Sequence, residues 1–225
     1  MRRIIFVTAT DTGVGKTIVT ALLLHHLRQT GVHALAMKPF CSGGRGDITL
    51  LQSLQNSELT DEEINPYYFD QAVAPRAALS RLRRTIRLAA VVRRIRSVAE
   101  KCECLLVEGI GGLLVPLGQN FMVIDLIRAL SPDVILVAAN KLGTINHMLL
   151  SARALEAIGV RKFKGVLGDL SKRDLSRRAN LPIVRASLKP NRVFSLPYLG
   201  PNLDEPKAIK ESYRKVKKLL ACLHT

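Results

Sequence analysis

The first apolar run, Ile4 to Thr8, is β-branched and aromatic and short enough to be a buried strand. A glycine-containing turn follows, and Ile18 to Leu27 then place apolar residues at helical spacing. The alternation continues along the chain. It predicts strands at Ala34 to Lys38, Cys104 to Glu108, Val134 to Ala139, Lys164 to Leu167 and Arg192 to Leu196. Helices are predicted at Asp47 to Gln55, Leu88 to Lys101, Phe121 to Leu130, Thr144 to Ile158 and Pro206 to Leu223. Strands separated by helices imply βαβ crossovers, and therefore a parallel sheet covered on both faces. Leu105-Leu106-Val107 and Val134-Ile135-Leu136-Val137 offer no polar face to water, which places them in central strands. The fold class is α/β, a doubly wound, mostly parallel sheet with helices on both faces. Asn56 to Arg84 is the least regular stretch, carrying Pro66, Pro75 and Tyr67-Tyr68-Phe69. It reads either as a plain connection or as an insertion that builds a pocket at the strand ends.

Thr10-Asp11-Thr12-Gly13-Val14-Gly15-Lys16-Thr17 falls between the first strand and the first helix, the context a phosphate-binding P-loop requires. Backbone N–H groups of Thr12 to Thr17 can surround phosphate oxygens at the positive end of the helix, with Lys16 reaching the β and γ phosphates. Thr17 offers a hydroxyl to magnesium, and the hard cation calls for one or two carboxylates nearby. Two candidates present themselves. Asp47 follows Ser42-Gly43-Gly44-Arg45-Gly46 and is either a metal ligand or a helix cap. Glu108 ends the run Leu105-Leu106-Val107, where an unpartnered carboxylate is costly, so metal ligation accounts for it better. The fold class narrows to a P-loop NTPase-like sheet. Lys38 on its own is a lysine at a strand end. Thr144 opens a helix whose free N–H groups suit a carboxylate, or it is simply the cap of that helix.

Five motifs in order resemble the dethiobiotin synthetase family: V-T-A-T-D-T-G-V-G-K-T at Val7 to Thr17, K-P-F-C-S-G at Lys38 to Gly43, N-P-Y-Y-F at Asn65 to Phe69, V-E-G-I-G-G-L-L-V-P at Val107 to Pro116, and K-L-G-T-I-N-H at Lys141 to His147. The likeness runs from Ile5 to about Leu199. It implies a ligase that joins the two amines of diaminopelargonic acid through carbon dioxide, drawn from bicarbonate, while ATP becomes ADP and phosphate. By that resemblance Thr17, Asp47 and Glu108 hold Mg2+, Thr12 to Thr17 hold the phosphates, and Lys16, Lys38 and Ser42 face the reacting centre. It also implies that Gly143, Thr144 and Asn146 take the substrate's tail carboxylate across a homodimer interface. Gly168, Asp169, Pro197, Tyr198 and Leu199 fall where the family binds the base. Two departures stand out: Ala9 replaces a glycine, and Gly168-Asp169 replaces an Asn-Asp pair that reads adenine. Without the amide, a donor and an acceptor to the base edge are lost.

At 225 residues the chain suits one domain, residues 1–225. Although 48% of residues are hydrophobic, no run approaches the roughly 20 that cross a bilayer, and the N-terminus lacks a secretory core. Cys41, Cys102, Cys104 and Cys222 show no paired metal spacing, consistent with free thiols in the cytoplasm, and Cys102 and Cys104 read as same-face residues opening a strand. The net charge of +16 raises the question of a polyanionic partner. The basic residues of Arg81 to Arg96, Lys172 to Arg178 and Lys207 to Lys218 have no aromatic interleaving, so they read as solvated helix faces rather than a nucleic-acid surface. Two other function classes share the phosphate motif: an amide-forming ligase acting through an acyl phosphate, and a nucleotide-switched binding ATPase. Asp11, where partitioning ATPases carry a signature lysine, counts against the second.

Overall fold

In the computed structural model, which describes residues 2–160, 163–171, 174–189 and 192–224, six strands form one parallel sheet. Its order is β2 (Ala34–Met37), β5 (Cys104–Glu108), β1 (Arg3–Ala9), β6 (Asp133–Ala139), β7 (Phe163–Gly168) and β8 (Val193–Leu196). The strands β1, β5 and β6 are central, and Phe6, Val7, Leu105, Leu106, Val107, Leu136 and Val137 are buried. The chain winds first to one side of β1 and then to the other, so a crevice opens at the carboxyl end of β1. Pairing of Val7 with Glu108 brings the end of β5 beside the strand that leads into the phosphate motif.

Helix α1 (Lys16–Gln29) buries Leu22, Leu23, Leu24 and Leu27 because the sheet lies on one side and α9 (Pro206–His224) on the other. On α9, Ile209, Val216, Leu220 and Leu223 are buried, while Lys207, Lys210, Lys215, Lys217 and Lys218 are exposed. Helix α5 (Leu88–Ala99) divides the same way, with Val91, Ile95 and Val98 inward and Arg93, Arg94 and Arg96 outward. Solvated helix faces therefore account for much of the basic charge, as the pattern predicts. Residues 172 and 173 of the third basic stretch lie outside the described residues.

Several elements differ from the sequence expectation. The stretch 56–84 contains α3 (Asp61–Ile64), β4 (Tyr67–Phe69) and α4 (Pro75–Arg81), and β4 pairs with β3 (Phe40–Ser42) in a separate two-stranded sheet. Such short pieces carry too few residues for a periodic signal. Helix α8 (Arg177–Leu188) was not expected, since Pro182 lies inside it and Asn180, Val184 and Leu188 form only a narrow buried stripe. Helix α2 (Gly46–Leu54) starts one residue early, and α6 (Val123–Leu130) starts two residues late because Met122 is its cap. Cys102 is buried in the turn before β5 rather than on the strand itself. Among the described residues no helix is long and apolar enough to cross a membrane.

The α1–α9 contact has a pH-sensitive element. His26 is 6% exposed with Nδ1 3.3 Å from the Tyr213 hydroxyl, and His25 meets the Tyr213 ring edge-on at 5.0 Å. Burial pushes both imidazoles below the ordinary histidine value, and Lys210 adds to the effect on His25. The unfolded chain then binds more protons below about pH 6.5, so the stability these groups support is complete above that pH and declines as pH falls through it. Thermal unfolding from pH 7.5 to 5.5 is expected to show a falling midpoint, with a shallower fall in His26→Gln. Parallel profiles for the two proteins would assign the loss to other groups.

Candidate active site

The loop joining β1 to α1 turns on two left-handed glycines, Gly13 at φ +67° and Gly15 at φ +96°. Gly15 is the N-cap of α1 and no side chain caps the helix, so its first N–H groups face the loop's concave side. Lys16 is 7% exposed and donates from Nζ to the Asp11 carbonyl at 3.0 Å. Burial pushes its ammonium below the ordinary lysine value, and the Glu108 carboxylate opposes that shift.

Behind the loop, Glu108 is 0% exposed. Its Oε1 accepts from the Thr17 hydroxyl at 2.8 Å and from Lys38 Nζ at 2.9 Å. Lys38 also pairs with Asp47. Burial alone would lower the Lys38 ammonium, but Glu108 and Asp47 outweigh it and hold it above the usual lysine range. Asp47 lies in the first turn of α2, where Arg45 is the N-cap, so its carboxylate goes to Lys38 and not to the helix end. These residues fit a magnesium ion: a hydroxyl and two carboxylates converge, and Glu108 Oε2 is buried with no hydrogen-bond partner among the described residues.

The segment carrying Lys38 and Ser42 is held by the N-P-Y-Y-F motif. Lys38 N donates to Ile64 O at 2.8 Å, Asn65 Nδ2 donates to Lys38 O at 2.6 Å, and Tyr67 N donates to Pro39 O at 3.0 Å. Phe40 and Tyr67 stack at 4.8 Å, and the Tyr68 hydroxyl donates to Gly43 O at 2.6 Å. Thr12, Lys16, Thr17, Lys38, Ser42, Asp47 and Glu108 consequently line one cavity of about 390 Å³, the size of a small-molecule site. Ser42 Oγ is buried there without a partner among the described residues.

A second, apolar pocket of about 90 Å³ opens on the other side of the loop, between Val14, Gly15 and Ile18 and the ends of β7 and β8. Gly168, Asp169, Pro197, Tyr198 and Leu199 all line it. Gly168 is not at positive φ, and a Cβ there would meet Val14 O at 3.8 Å and Ala138 O at 3.9 Å, an ordinary contact. The Asp169 carboxylate accepts from Asn140 Nδ2 at 2.8 Å and from Arg177 Nη2 at 2.5 Å, so both oxygens are engaged.

Gly143, Thr144 and Asn146 are not brought into either pocket. Gly143, at φ +89°, is the N-cap of α7 (Thr144–Ala157), and Thr144 sits inside the helix with Oγ1 buried and unpartnered among the described residues. The capping alternative for Thr144 therefore fails. Sequence reasoning gave no site role to Gly111, Cys41, Asn140 or Arg177. Gly111 lies in the cavity wall at φ +57°, and an added Cβ would come within 2.6 Å of Val115. The E-G-I-G-G spacing was the available signal for it. Asn140 and Arg177 hold Asp169, and Asn140 N also donates to Gly168 O at 2.8 Å, contacts that no local pattern reveals.

Comparison with known proteins bears on the family and the fold. A family model described as an AAA domain matches residues 3–206. An ATP-dependent dethiobiotin synthetase BioD of Bacillus licheniformis is 36% identical over 208 residues, covering 89% of this chain and 86% of the relative. That of Nitrosospira multiformis is 40% identical over 156 residues, covering 68% and 69%. Among solved structures, the MinC:MinD cell division protein complex of Aquifex aeolicus matches with TM-score 0.60 at 15% identity over 96% of each chain. A ParA family ATPase of Chlorobium tepidum matches with TM-score 0.56 at 13% identity, over 98% of this chain and 92% of that one. At such identities the structural likeness shows the fold alone. With the phosphate loop, the carboxylate cluster and these sequence relationships taken together, the chain belongs to the ATP-dependent dethiobiotin synthetase family.

Proposed function

We propose that this chain closes the ureido ring of dethiobiotin on diaminopelargonic acid, using carbon dioxide and converting ATP to ADP and phosphate. The convergence of Lys16, Thr17, Lys38, Asp47 and Glu108 on one cavity is the observation that carries the reading. One substrate amine adds to carbon dioxide and loses a proton, giving a carbamate. A carbamate oxygen attacks the γ-phosphorus and ADP leaves. The second amine then attacks the carbonyl carbon of the carbamic-phosphoric anhydride, closing the ring and expelling phosphate.

Each step gathers negative charge on oxygen, so fixed positive charge is what the protein must supply. Lys38, paired with Glu108 and Asp47 in the cavity wall, acts by charge and position at the reacting centre. Lys16 approaches the phosphates from the loop side, and Ser42 offers a buried hydroxyl to the substrate. Thr17, Asp47 and Glu108 would hold magnesium, which when bound supplies further positive charge to the phosphate oxygens.

A second copy of the chain completes the reading. Leu142 is 83% exposed and Leu150 62% exposed around α7, an apolar edge suited to a homodimer, with Gly143, Thr144 and Asn146 offered to the substrate tail. A monomer boundary in sedimentation at micromolar concentration would remove this part. The four free thiols agree with reaction in the cytoplasm.

The reaction class is tested by ADP release, which is expected to require both diaminopelargonic acid and bicarbonate. Lys16→Ala is expected to lower turnover far beyond tenfold, a barrier change of about 1.4 kcal/mol, with an unchanged thermal midpoint. Release indifferent to the amine substrate would reject the ligase reading. Glu108→Gln exchanges a charged oxygen for a neutral amide and is expected to shift the magnesium titration to higher concentration; an unmoved titration takes Glu108 out of the metal shell.

Base selectivity follows from Gly168. With no amide there and both Asp169 oxygens engaged, ATP is expected to be used alongside CTP, GTP or UTP within about a hundredfold in kcat/KM, roughly 2.7 kcal/mol. The backbone at Gly168 accepts a side chain, so Gly168→Asn is expected to raise the preference for ATP. A preference above about a thousandfold in the natural chain would show that other groups read the base.

A further inference from the structure

From Gln71 to Ala99 the chain carries eight arginines and no aspartate or glutamate. Three of them, Arg93, Arg94 and Arg96, occupy the exposed face of α5. Another three do something different. Arg76, Arg83 and Arg84 border a concavity of about 400 Å³ between α4 and the loop that follows β5, with Ser80, Thr85 and Gln119 at its edge. Among the described residues no carboxylate lines it. Among the described residues, none of these three guanidinium groups has an ion pair or a hydrogen bond. Three like charges gathered without a counter-charge repel one another, and an anion relieves that repulsion.

The backbone makes the same point independently. Arg83 sits at φ +49°, one residue beyond the C-cap Leu82, with Arg83 N donating to Ser80 O at 3.2 Å and Arg84 N donating to Leu79 O at 3.0 Å. This helix-ending turn is ordinarily given to glycine, because a Cβ strains the left-handed conformation. The chain carries an arginine there instead, which places a guanidinium at the rim of the concavity in spite of the strain. The opposite wall is firmly packed. A Cβ on Gly118 would lie 2.2 Å from the Phe121 ring and 2.9 Å from Ile86 O, and Arg76 N donates to Pro116 O at 3.2 Å.

We propose that this arginine pocket is a second anion site, separate from the phosphate loop, for a compact multivalent oxyanion carried by a small phosphate ester or a polycarboxylate. Its volume matches small-molecule sites, and it is a single concavity rather than a track. No aromatic side chain lines it for bases to stack on, which argues against single-stranded nucleic acid.

The test is equilibrium dialysis of radiolabelled inorganic phosphate against the metal-free, nucleotide-free protein. Two phosphates per chain are expected in the natural protein. Lys16→Ala is expected to lose the one in the phosphate loop. Arg83→Gly combined with Arg84→Gln is expected to weaken the other by at least tenfold without lowering the thermal midpoint, since glycine suits the left-handed turn. Citrate arms distinguish the sources: displacement of the second phosphate by citrate marks general polyvalent oxyanion binding, and failure to displace it marks a phosphate-specific pocket. A single phosphate per chain, lost in Lys16→Ala and indifferent to the arginine changes, would overturn the proposal. So would displacement of the second phosphate by a short DNA duplex more readily than by citrate, with the steep salt dependence of a polyelectrolyte.

Discussion

The Glu108 carboxylate ends a fully buried strand of the sheet, and most of the site is arranged around pairing it there. A carboxylate taken out of water is costly unless paired, and removing one partner of a buried pair costs about 3–5 kcal/mol. Lys38 comes from the end of β2, next in the sheet, and the Thr17 hydroxyl from the first turn of α1, so the partners arrive from the two elements flanking β5 and β1. Register fixes this: Met37 pairs with Val107, and Val7 pairs with Glu108. Slipping β5 by one residue against its two neighbours would turn Glu108 to the other face, away from both partners. The pairing is incomplete on one oxygen, Oε2, and that remaining acceptor is what suits the strand end to a hard cation.

Lys38 could not stay in place on β2 alone, because the strand ends at Met37. The stretch from Ile64 to Tyr67 takes over immediately beyond it: Lys38 N donates to Ile64 O, the Asn65 side-chain amide donates to Lys38 O, and Tyr67 N donates to Pro39 O. The aromatic cluster Tyr67-Tyr68-Phe69 is therefore a scaffold for the reacting segment. The Tyr67 ring stacks on Phe40, and the Tyr68 hydroxyl reaches the glycine turn that leads to Asp47. Precise placement by a rigid support is what electrostatic stabilisation of an anionic transition state needs.

The base side is built on different terms. Its walls are largely apolar, and the Asp169 carboxylate in its lining is tied to Asn140 and to Arg177 of α8. Asn180 on the same helix donates to Asn140 Oδ1 at 2.9 Å, which locks the asparagine in turn. A flat ring in this pocket would be held by contact more than by hydrogen-bond pattern, and shape discriminates less sharply between bases than unpaired polar groups do.

The hydrophobic periods, the phosphate loop and the carboxylate at the end of a buried run were legible in the sequence because each is a local consequence of residue type and spacing: a buried strand must be apolar, a loop around phosphate must have glycines, and a lone buried charge needs a partner. The choice of partner was not local. Asp47 reads as a metal ligand with a helix cap as its alternative until the fold shows Arg45 in the cap position and Lys38 within reach of the carboxylate. Thr144 reads as a cap until Gly143 takes the position. Helix α8, with a proline inside and a stripe of only three buried residues, and strands β3 and β4, three residues each, have too little periodic signal to be read at all. The arginines looked like one solvated set, and only packing divided them into an exposed helix face and a pocket, because charge adds up along a sequence while repulsion depends on distance in space.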